Sequence, residues 1–490
     1  MNSPQWVRWM TVAGLGAGAS FGIAAEAPPG GAAPSAGLVN DWLRDRSKEF
    51  TAWDIGGQFR ARFEHRDGFS ITGAAGSMDF RDHGADVANG YGLFRTKVHV
   101  GYAPADWARV FVEGRDSFTV EDDRSPRPEN DRTDLHQAYL GLGNPKEFPV
   151  TIKVGRQELS YGDERLIGAS DWNNIGRVFD AAKLRYEKGG FWVDAFSGRV
   201  IIPDDHNFNV ANDYDWFSGV YASSRTLLPK QETQAYFLAR NTGLQSPTAL
   251  GAGLPSLLNG ATPRDIYTVG TRMKSLPGAL GAWDYSFEAA GQFGRFKETA
   301  AGASLEHRAF AGHAAGGYTF KETTMTPRVG LEYDYATGDH DATDGKHTTF
   351  ENLFPTNHKF YGFMDFASLQ NLHDLRLSAS AKPYAPLLVT LDYHAFLLAD
   401  THDSFYTVAG ARRGGLAATP GTGYGINPGY GNYVGSEVDL VATWTVKRFG
   451  TFQAGLGHFF TGDYIEQSLS SAAYGAADAN WVYLQAVFNF

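Results

Sequence analysis

Residues 480–490 read NWVYLQAVFNF, and the sequence stops on that phenylalanine. Val482, Leu484, Ala486, Phe488 and Phe490 alternate with Trp481, Tyr483, Gln485, Val487 and Asn489. An apolar residue at every second position is the period of a strand whose two faces meet different surroundings. The same period recurs upstream. In IGGQFRARFEH (55–65), Ile55, Phe59, Ala61 and Phe63 are set against Gln58, Arg60, Arg62 and Glu64. LFRTKVHVGY (93–102), WDYSFEAAGQF (283–293), LVTLDYHAFL (388–397) and EVDLVATWTVK (437–447) repeat the pattern. These segments run roughly 9–15 residues, longer than ordinary globular strands and long enough to cross a bilayer at a tilt.

The connections carry more information than the strands. Short turns fall near 104–106, 144–148, 188–190, 224–230, 275–280, 321–324, 382–386 and 447–450. Between them lie longer polar gaps near 66–89, 120–134, 161–176, 201–213, 242–263, 297–304, 338–370, 400–434 and 462–479. Short and long gaps alternate throughout, and together they join eighteen strands. The sequence therefore predicts an all-β fold over residues 50–490. It is a transmembrane antiparallel β-barrel with short periplasmic turns and long extracellular loops, set in a bacterial outer membrane against lipid and lipopolysaccharide. Phe488 and Phe490 would then face lipid in an aromatic girdle. A terminal aromatic such as Phe490 also resembles the signal read by barrel-assembly machinery. A soluble sandwich or solenoid ending on a strand would show similar loops on both sides, or a fixed repeat, and neither is present.

Composition agrees. The chain has 43 Lys and Arg against 54 Asp and Glu, a net charge of −11, which excludes a broad nucleic-acid surface. Cysteine is absent, which excludes disulfides and thiolate metal sites. A mean hydropathy of −0.31 does not argue for solubility, because a barrel with a polar lumen has the same average. Residues 1–25 read as a secretory leader, with Arg8 ahead of an uncharged stretch and small residues at Gly22, Ala24 and Ala25. The glycines at 14, 16 and 18 follow no strand and are not a dinucleotide fingerprint. Residues 26–49, with APPGGAAPSAG at 27–37, read as a flexible linker.

About eighteen strands enclose a lumen too wide for strand side chains to fill, so the chemistry belongs on the polar face. That face is basic early in the chain, with Arg60, Arg62, Arg95, Lys97, Arg115, Lys153, Lys183 and Arg185. Later it turns acidic, with Asp284, Glu288, Glu332, Asp334, Asp374, Asp392, Glu437 and Asp439; Arg272, Arg328 and Arg376 add scattered positive charge. The expectation is a basic wall facing an acidic one across water. Fixed charge of one sign concentrates the opposite ion, and the planar arginine fork suits carboxylates.

Residues 154–185, VGRQELSYGDERLIGASDWNNIGRVFDAAKLR, resemble a signature of the alginate export porin family. LHQAYLGL (135–142) and FENLFPTNHKFYGFMD (350–365) resemble the same family, as does the terminal aromatic strand. The resemblance implies an eighteen-stranded outer-membrane barrel that passively exports an anionic polyuronate through an arginine-rich constriction. The family's Gly-Arg-Gln segment falls on Gly155, Arg156 and Gln157, which makes Arg156 a candidate constriction residue. Strict alternation from Val150, Ile152 and Val154 sends Arg156 outward, so this assignment needs a bulge or a rim position. Asp163, Glu164, Arg165, Asp171 and Arg177 fall in a pore-mouth loop and the start of the next strand. The acidic wall opposes a polyanion, so the reading widens to anionic or zwitterionic hydrophilic solutes, an acidic polysaccharide among them.

Other chemistry finds less support. No Gly-x-Ser-x-Gly elbow is present, and no catalytic residue or cofactor is assigned. The alternative function is a plugged barrel acting as receptor, adhesin or carbohydrate-active enzyme. GDHDATDGKH (338–347) brings Asp339, Asp341 and Asp344 together, but Thr343 and Asp344 break the EF-hand pattern. His340, His347 and His358 lack zinc-like spacing, so no metal is assigned. The apolar residues Phe350, Leu353, Phe354, Phe360, Tyr361 and Phe363 need burial, which predicts that this segment packs within or beside the barrel mouth.

Overall fold

The computed structural model describes residues 37–490 except 70–71, 74–75, 85, 126, 244–262, 300–301 and 415–422. The leader expected at 1–25 lies outside the described residues. The alternating segments form β1 (Trp53–Asp67), β2 (Asn89–Ala105), β3 (Ala108–Val120), β4 (Asp131–Leu142), β5 (Val150–Gln157) and β6 (Phe179–Lys188). They continue as β7 (Phe191–Ile202), β8 (Val210–Ser224), β9 (Gln231–Thr242), β10 (Arg264–Ser275), β11 (Trp283–Phe296) and β12 (Leu305–Thr319). The last six are β13 (Arg328–Ala336), β14 (Leu372–Tyr384), β15 (Leu387–Leu398), β16 (Tyr433–Val446), β17 (Gly450–Thr461) and β18 (Ala479–Asn489). Each pairs antiparallel with its neighbours, and β18 returns to β1 in the register Phe488↔Phe59, closing an 18-strand barrel. A two-residue piece, Lys346–His347, adds a parallel contact to β12.

Closure leaves no free sheet edge. The final residue takes part in it, because Phe490 and Gly57 exchange backbone hydrogen bonds of 3.0 and 2.9 Å. The eight short connections fall where the sequence predicted them. One of three two-residue connections, Gly189–Gly190, has φ of +60° and +81°, a pair of left-handed angles that glycine takes up without strain. The outward face is apolar from β1 to β18, with Phe63, Val98, Leu184, Phe287, Leu391 and Leu484 all exposed. Near the short-turn rim it becomes aromatic, with Trp107, Phe148, Trp283, Tyr384, Trp444 and Phe488 exposed.

Two expectations change. Part of the presumed linker is ordered, because α1 (Leu38–Arg46) packs on β1. Asn40 is buried and clamps it: its side chain donates to Asp54 Oδ1 (2.8 Å) and accepts from the Ile55 amide (2.7 Å). The second change concerns the lumen, which long loops enter. Segments 158–178 and 337–371 meet inside the barrel in a short parallel contact, with Gly168 N donating to Phe354 O and Phe354 N to Leu166 O. Their apolar residues join inward strand residues in a buried core. Phe354 packs edge-on against Phe179 and Phe217, and Phe366 against Phe459. The strands cannot fill a cylinder this wide, and the apolar residues of 350–371 have no other dry place to go.

Candidate functional site

The site follows from register. Arg60 on β1 lies directly opposite Arg95 on β2, Lys97 opposite Arg115 on β3, and Lys153 on β5 opposite Lys183 on β6. Like charges at directly opposed positions destabilise a sheet unless an anion or dipole lies between them. Segment 158–178 supplies both. The Asp171 carboxylate pairs with Arg95 at 2.9 Å and with Lys97 at 3.3 Å. Arg60 donates to Asp171 O (2.7 Å) and Asn173 O (3.1 Å), Arg62 to Trp172 O (2.9 Å), and Arg115 to Ile175 O (2.6 Å). Arg62 also lies 3.8 Å from the centre of the Trp172 ring, which stacks on the His358 imidazole at 3.8 Å and meets Tyr483 edge-on at 5.3 Å. The basic wall therefore grips a loop backbone and the Asp171 carboxylate, while Arg62 also pairs with Glu64 at 2.7 Å, Lys97 with Glu158 at 3.7 Å and Arg115 with Asp131.

Burial alone would raise the Asp171 carboxyl, but Arg95, Lys97 and Arg60 outweigh it and hold the group well below the usual carboxylate range. Its side chain is nonetheless 62% exposed to the space inside the barrel. The neighbouring cations are not; Arg95 is 1% exposed. A carboxylate open to solvent thus rests on buried guanidinium groups.

The acidic wall forms on the opposite arc. Asp334 on β13 faces Asp374 on β14, and Asp392 on β15 faces Asp439 on β16. Here the same inner segment supplies the cation. Arg165 is buried, bonds Asp334 at 2.9 Å and also engages Glu332, with Phe360 under its guanidinium at 4.0 Å. Arg376 bridges Asp392 (2.8 Å) and Glu332 (3.4 Å), His394 bonds Asp374 (2.9 Å), and Glu288 accepts from Tyr236 (2.8 Å). Glu437 and Asp439 accept the backbone amides of Met364 and Phe363 at 2.8 and 3.2 Å. Asp284, near the short-turn rim, pairs with Arg328 at 2.6 Å.

The inner segment is anchored at a third point by Asp163, which bonds Arg272 at 2.5 Å and Lys274 at 3.0 Å. Burial pushes that carboxyl up, but the two cations hold it far below its ordinary value. Glu164 takes Lys359 at 2.8 Å, and Arg177 donates to Gly168 O and Pro355 O, tying the two loops together. Burial, followed by the charge of Arg240, lowers the Arg177 guanidinium to about 10.

Three placements differ from the sequence reading. The walls do not face open water: they are engaged with loops, because the loops enter the lumen. Arg156 lies opposite Asp180, on the side shared by Ile152, Val154 and Leu184, and bonds it at 2.9 Å. There Arg156 also donates to Asn209 O and lies 5.6 Å from the Phe208 ring, so it is a rim residue buried under the 203–209 loop, away from the inner segment. Arg185 turns to Asp194 at 2.6 Å, and Lys153 sits 3.9 Å from the Tyr139 ring centre. Sequence reasoning missed Arg240 and Arg264, which both bind Glu351 of the second loop, Arg240 at 2.9 Å. Arg240 shares its lumen face with the buried apolar residues Tyr236 and Leu238, so no polar alternation marked it. Among the calcium candidates, Asp341 caps Thr343, Asp344 pairs with Lys346 and Asp339 accepts from Thr348, so the three are spent on separate contacts.

Comparison with known proteins agrees with this architecture. The family model for alginate export matches residues 52–476. No curated protein sequence matches significantly. Among solved structures, Pseudomonas aeruginosa OpdK with vanillate is 11% identical with a TM-score of 0.54, covering 89% of this chain and 98% of that one. P. aeruginosa OccK2 (OpdF) in complex with glucuronate is 12% identical with a TM-score of 0.53 and the same coverages. These likenesses establish a shared barrel fold. The family match sets the apolar band against outer-membrane lipid and lipopolysaccharide. A closed eighteen-strand barrel, a lumen divided into basic and acidic arcs, and a family match over nearly all of the described chain lead to one assignment: the protein belongs to the alginate export family of outer-membrane channels.

Proposed function

We propose that the protein is a passive channel for anionic or zwitterionic hydrophilic solutes, with uronate saccharides as the favoured class. One observation carries this reading: the basic wall, built from directly opposed like-charged pairs, holds a carboxylate, that of its own Asp171. Residues assembled at a cost to the sheet, and able to seat a carboxylate beside solvent, suit a passing carboxylate as well. Arg60, Arg62, Arg95, Lys97 and Arg115 form the anion path; Lys153 and Lys183 extend it along the wall. The acidic arc across the lumen favours a solute that also carries positive charge or hydroxyls. No covalent step is needed. The terminal Phe490, held in the closing seam, would serve as the contact for barrel-assembly machinery, and residues 1–25 as the export leader.

The test is the conductance of refolded protein in a planar bilayer under a salt gradient, with glucuronate and oligouronates titrated in. Anion preference and block by uronates are expected. A channel without either would remove the uronate reading. A second reading, a receptor barrel closed by its loops, is favoured by the aromatic core that segments 158–178 and 337–371 build in the lumen. Correctly folded protein with no conductance, alone or with uronate present, would select it.

A further inference from the structure

The acidic and imidazole groups of the described residues converge in two places outside the basic wall, and the two differ in one respect. His313, Glu332 and Asp334 cluster inside the barrel, but the Arg165 guanidinium already stands among them. His340, Asp400 and His402 cluster on the long-loop side, and their ligating atoms all lie within 4.8 Å of one another. Among the described residues, no Lys or Arg is paired with Asp400; its ion-pair partners are the two histidines. Sequence spacing hides this group, because His340 comes from the 337–371 segment and the other two from the 399–432 loop.

We propose that His340, Asp400 and His402 form a binding site for a divalent transition-metal ion, Zn²⁺ in the first instance, that staples these two loops at the outer mouth. Two imidazoles and one carboxylate are a known zinc donor set, and three protein ligands leave a position for water. His340 Nδ1 lies 2.8 Å from one Asp400 oxygen and His402 Nδ1 lies 2.9 Å from the other, with ring centres 4.3 Å apart. A tetrahedral zinc centre needs ligand-to-ligand edges of about 3.3 Å, which three ligating atoms within 4.8 Å of one another can reach by side-chain adjustments of about an ångström. Each imidazole then carries its proton on Nε2 and offers Nδ1 to the metal. Exposure of His340 and His402 leaves room for that proton and for a metal-bound water.

The backbone beneath is fixed before any metal arrives. The fully buried Asn371 accepts from the Asp400 amide (2.8 Å) and donates to Asp400 O (2.9 Å) and Ser404 O (3.0 Å). The Asp339 amide, adjacent to His340, donates to buried Asp403 at 3.0 Å. Both strands of the site also rise from barrel staves close by, since β13 ends at Ala336 and β15 at Leu398, with β14 between them. Rigid support for metal ligands is what distinguishes a site from a chance encounter of exposed side chains.

The experiment is Zn²⁺ titration of the full refolded chain by calorimetry, with Co²⁺ absorption as a second readout of coordination. One ion per chain is expected in wild type. The H340Q/H402Q double variant and D400N should each bind at least about tenfold more weakly, as loss of a ligand requires, and H83Q should bind as wild type. The histidines are exposed and Asp400 is half-buried, and folding is checked by the heat-modified gel shift of the barrel. Absence of binding in wild type, or equal binding by wild type and H340Q/H402Q, would overturn the site.

Discussion

The two ends of segment 158–178 perform opposite tasks with the same kind of bond. At one end Arg165 is buried between Asp334 and Glu332 on the acidic arc. At the other, Asp171 meets Arg95 and Lys97 on the basic arc with its own carboxylate open to the lumen. An ion pair removed from water is held by the cost of exposing its partners as unpaired charges, whereas one at a wet surface is exchanged cheaply. The difference makes the Arg165 end an anchor and the Asp171 end a replaceable occupant.

The largest effect should come from breaking the anchor. R165A removes the cation shared by Asp334 and Glu332, leaving Arg376 at 3.4 Å from Glu332 and His313 at 3.0 Å from Asp334, and should lower stability by about 3–5 kcal/mol, measured by denaturant unfolding of the barrel. A loss no larger than that of D171N would erase the distinction between the two ends. Next is charge selection: R60A/R62A/R95A together should reduce anion preference, read as a shift of the reversal potential toward the cation side. Unchanged reversal potentials would disqualify the basic wall as the anion path. D171N, which removes the carboxylate charge but keeps the side chain's shape, should do the opposite, strengthening anion preference and uronate block at a stability cost smaller than that of R165A, because the amide oxygen can still accept from Arg95.

The smallest effect is expected from pH. Asp163 and Asp171 both have carboxyls held below their ordinary value against burial, by Arg272 and Lys274 in one case and Arg95, Lys97 and Arg60 in the other. A depressed carboxyl stabilises the folded state above its unfolded value of about 4, and that contribution fades as pH falls below it. Segment 158–178 should therefore stay docked from pH 7 to 5 and loosen only below about pH 4, which channel noise or limited proteolysis at successive pH values would detect. Loosening between pH 7 and 5 would mean that some other group controls the loop.

Much of the frame was legible because a barrel strand records its surroundings at every residue. Phe59 and Phe63 must meet lipid while Arg60 and Arg62 must not, so period two survives in the sequence, and short and long gaps report the two sides. Phe488 on the last strand could be placed outward on the same grounds. The site was legible only in part. That Arg60 and Arg95 share a wall follows from alternation; that they stand directly opposite each other depends on register, which one residue of slip would have altered. Arg156 illustrates the limit, since its motif suggested the lumen while its register set it beside Asp180 at the rim.

Neighbouring residues suffice to set the strand period, the alternation of turns and loops, the sign of charge on each arc and the need to bury the apolar residues of 350–371. Those are local properties, written into neighbouring residues. The folded barrel is what brings Asp171 to the basic wall, Arg165 to Asp334, Glu351 between Arg240 and Arg264, and His340 to His402. Each of these pairings joins segments far apart in the chain, and its energy depends on distance and burial that no spacing in the sequence encodes.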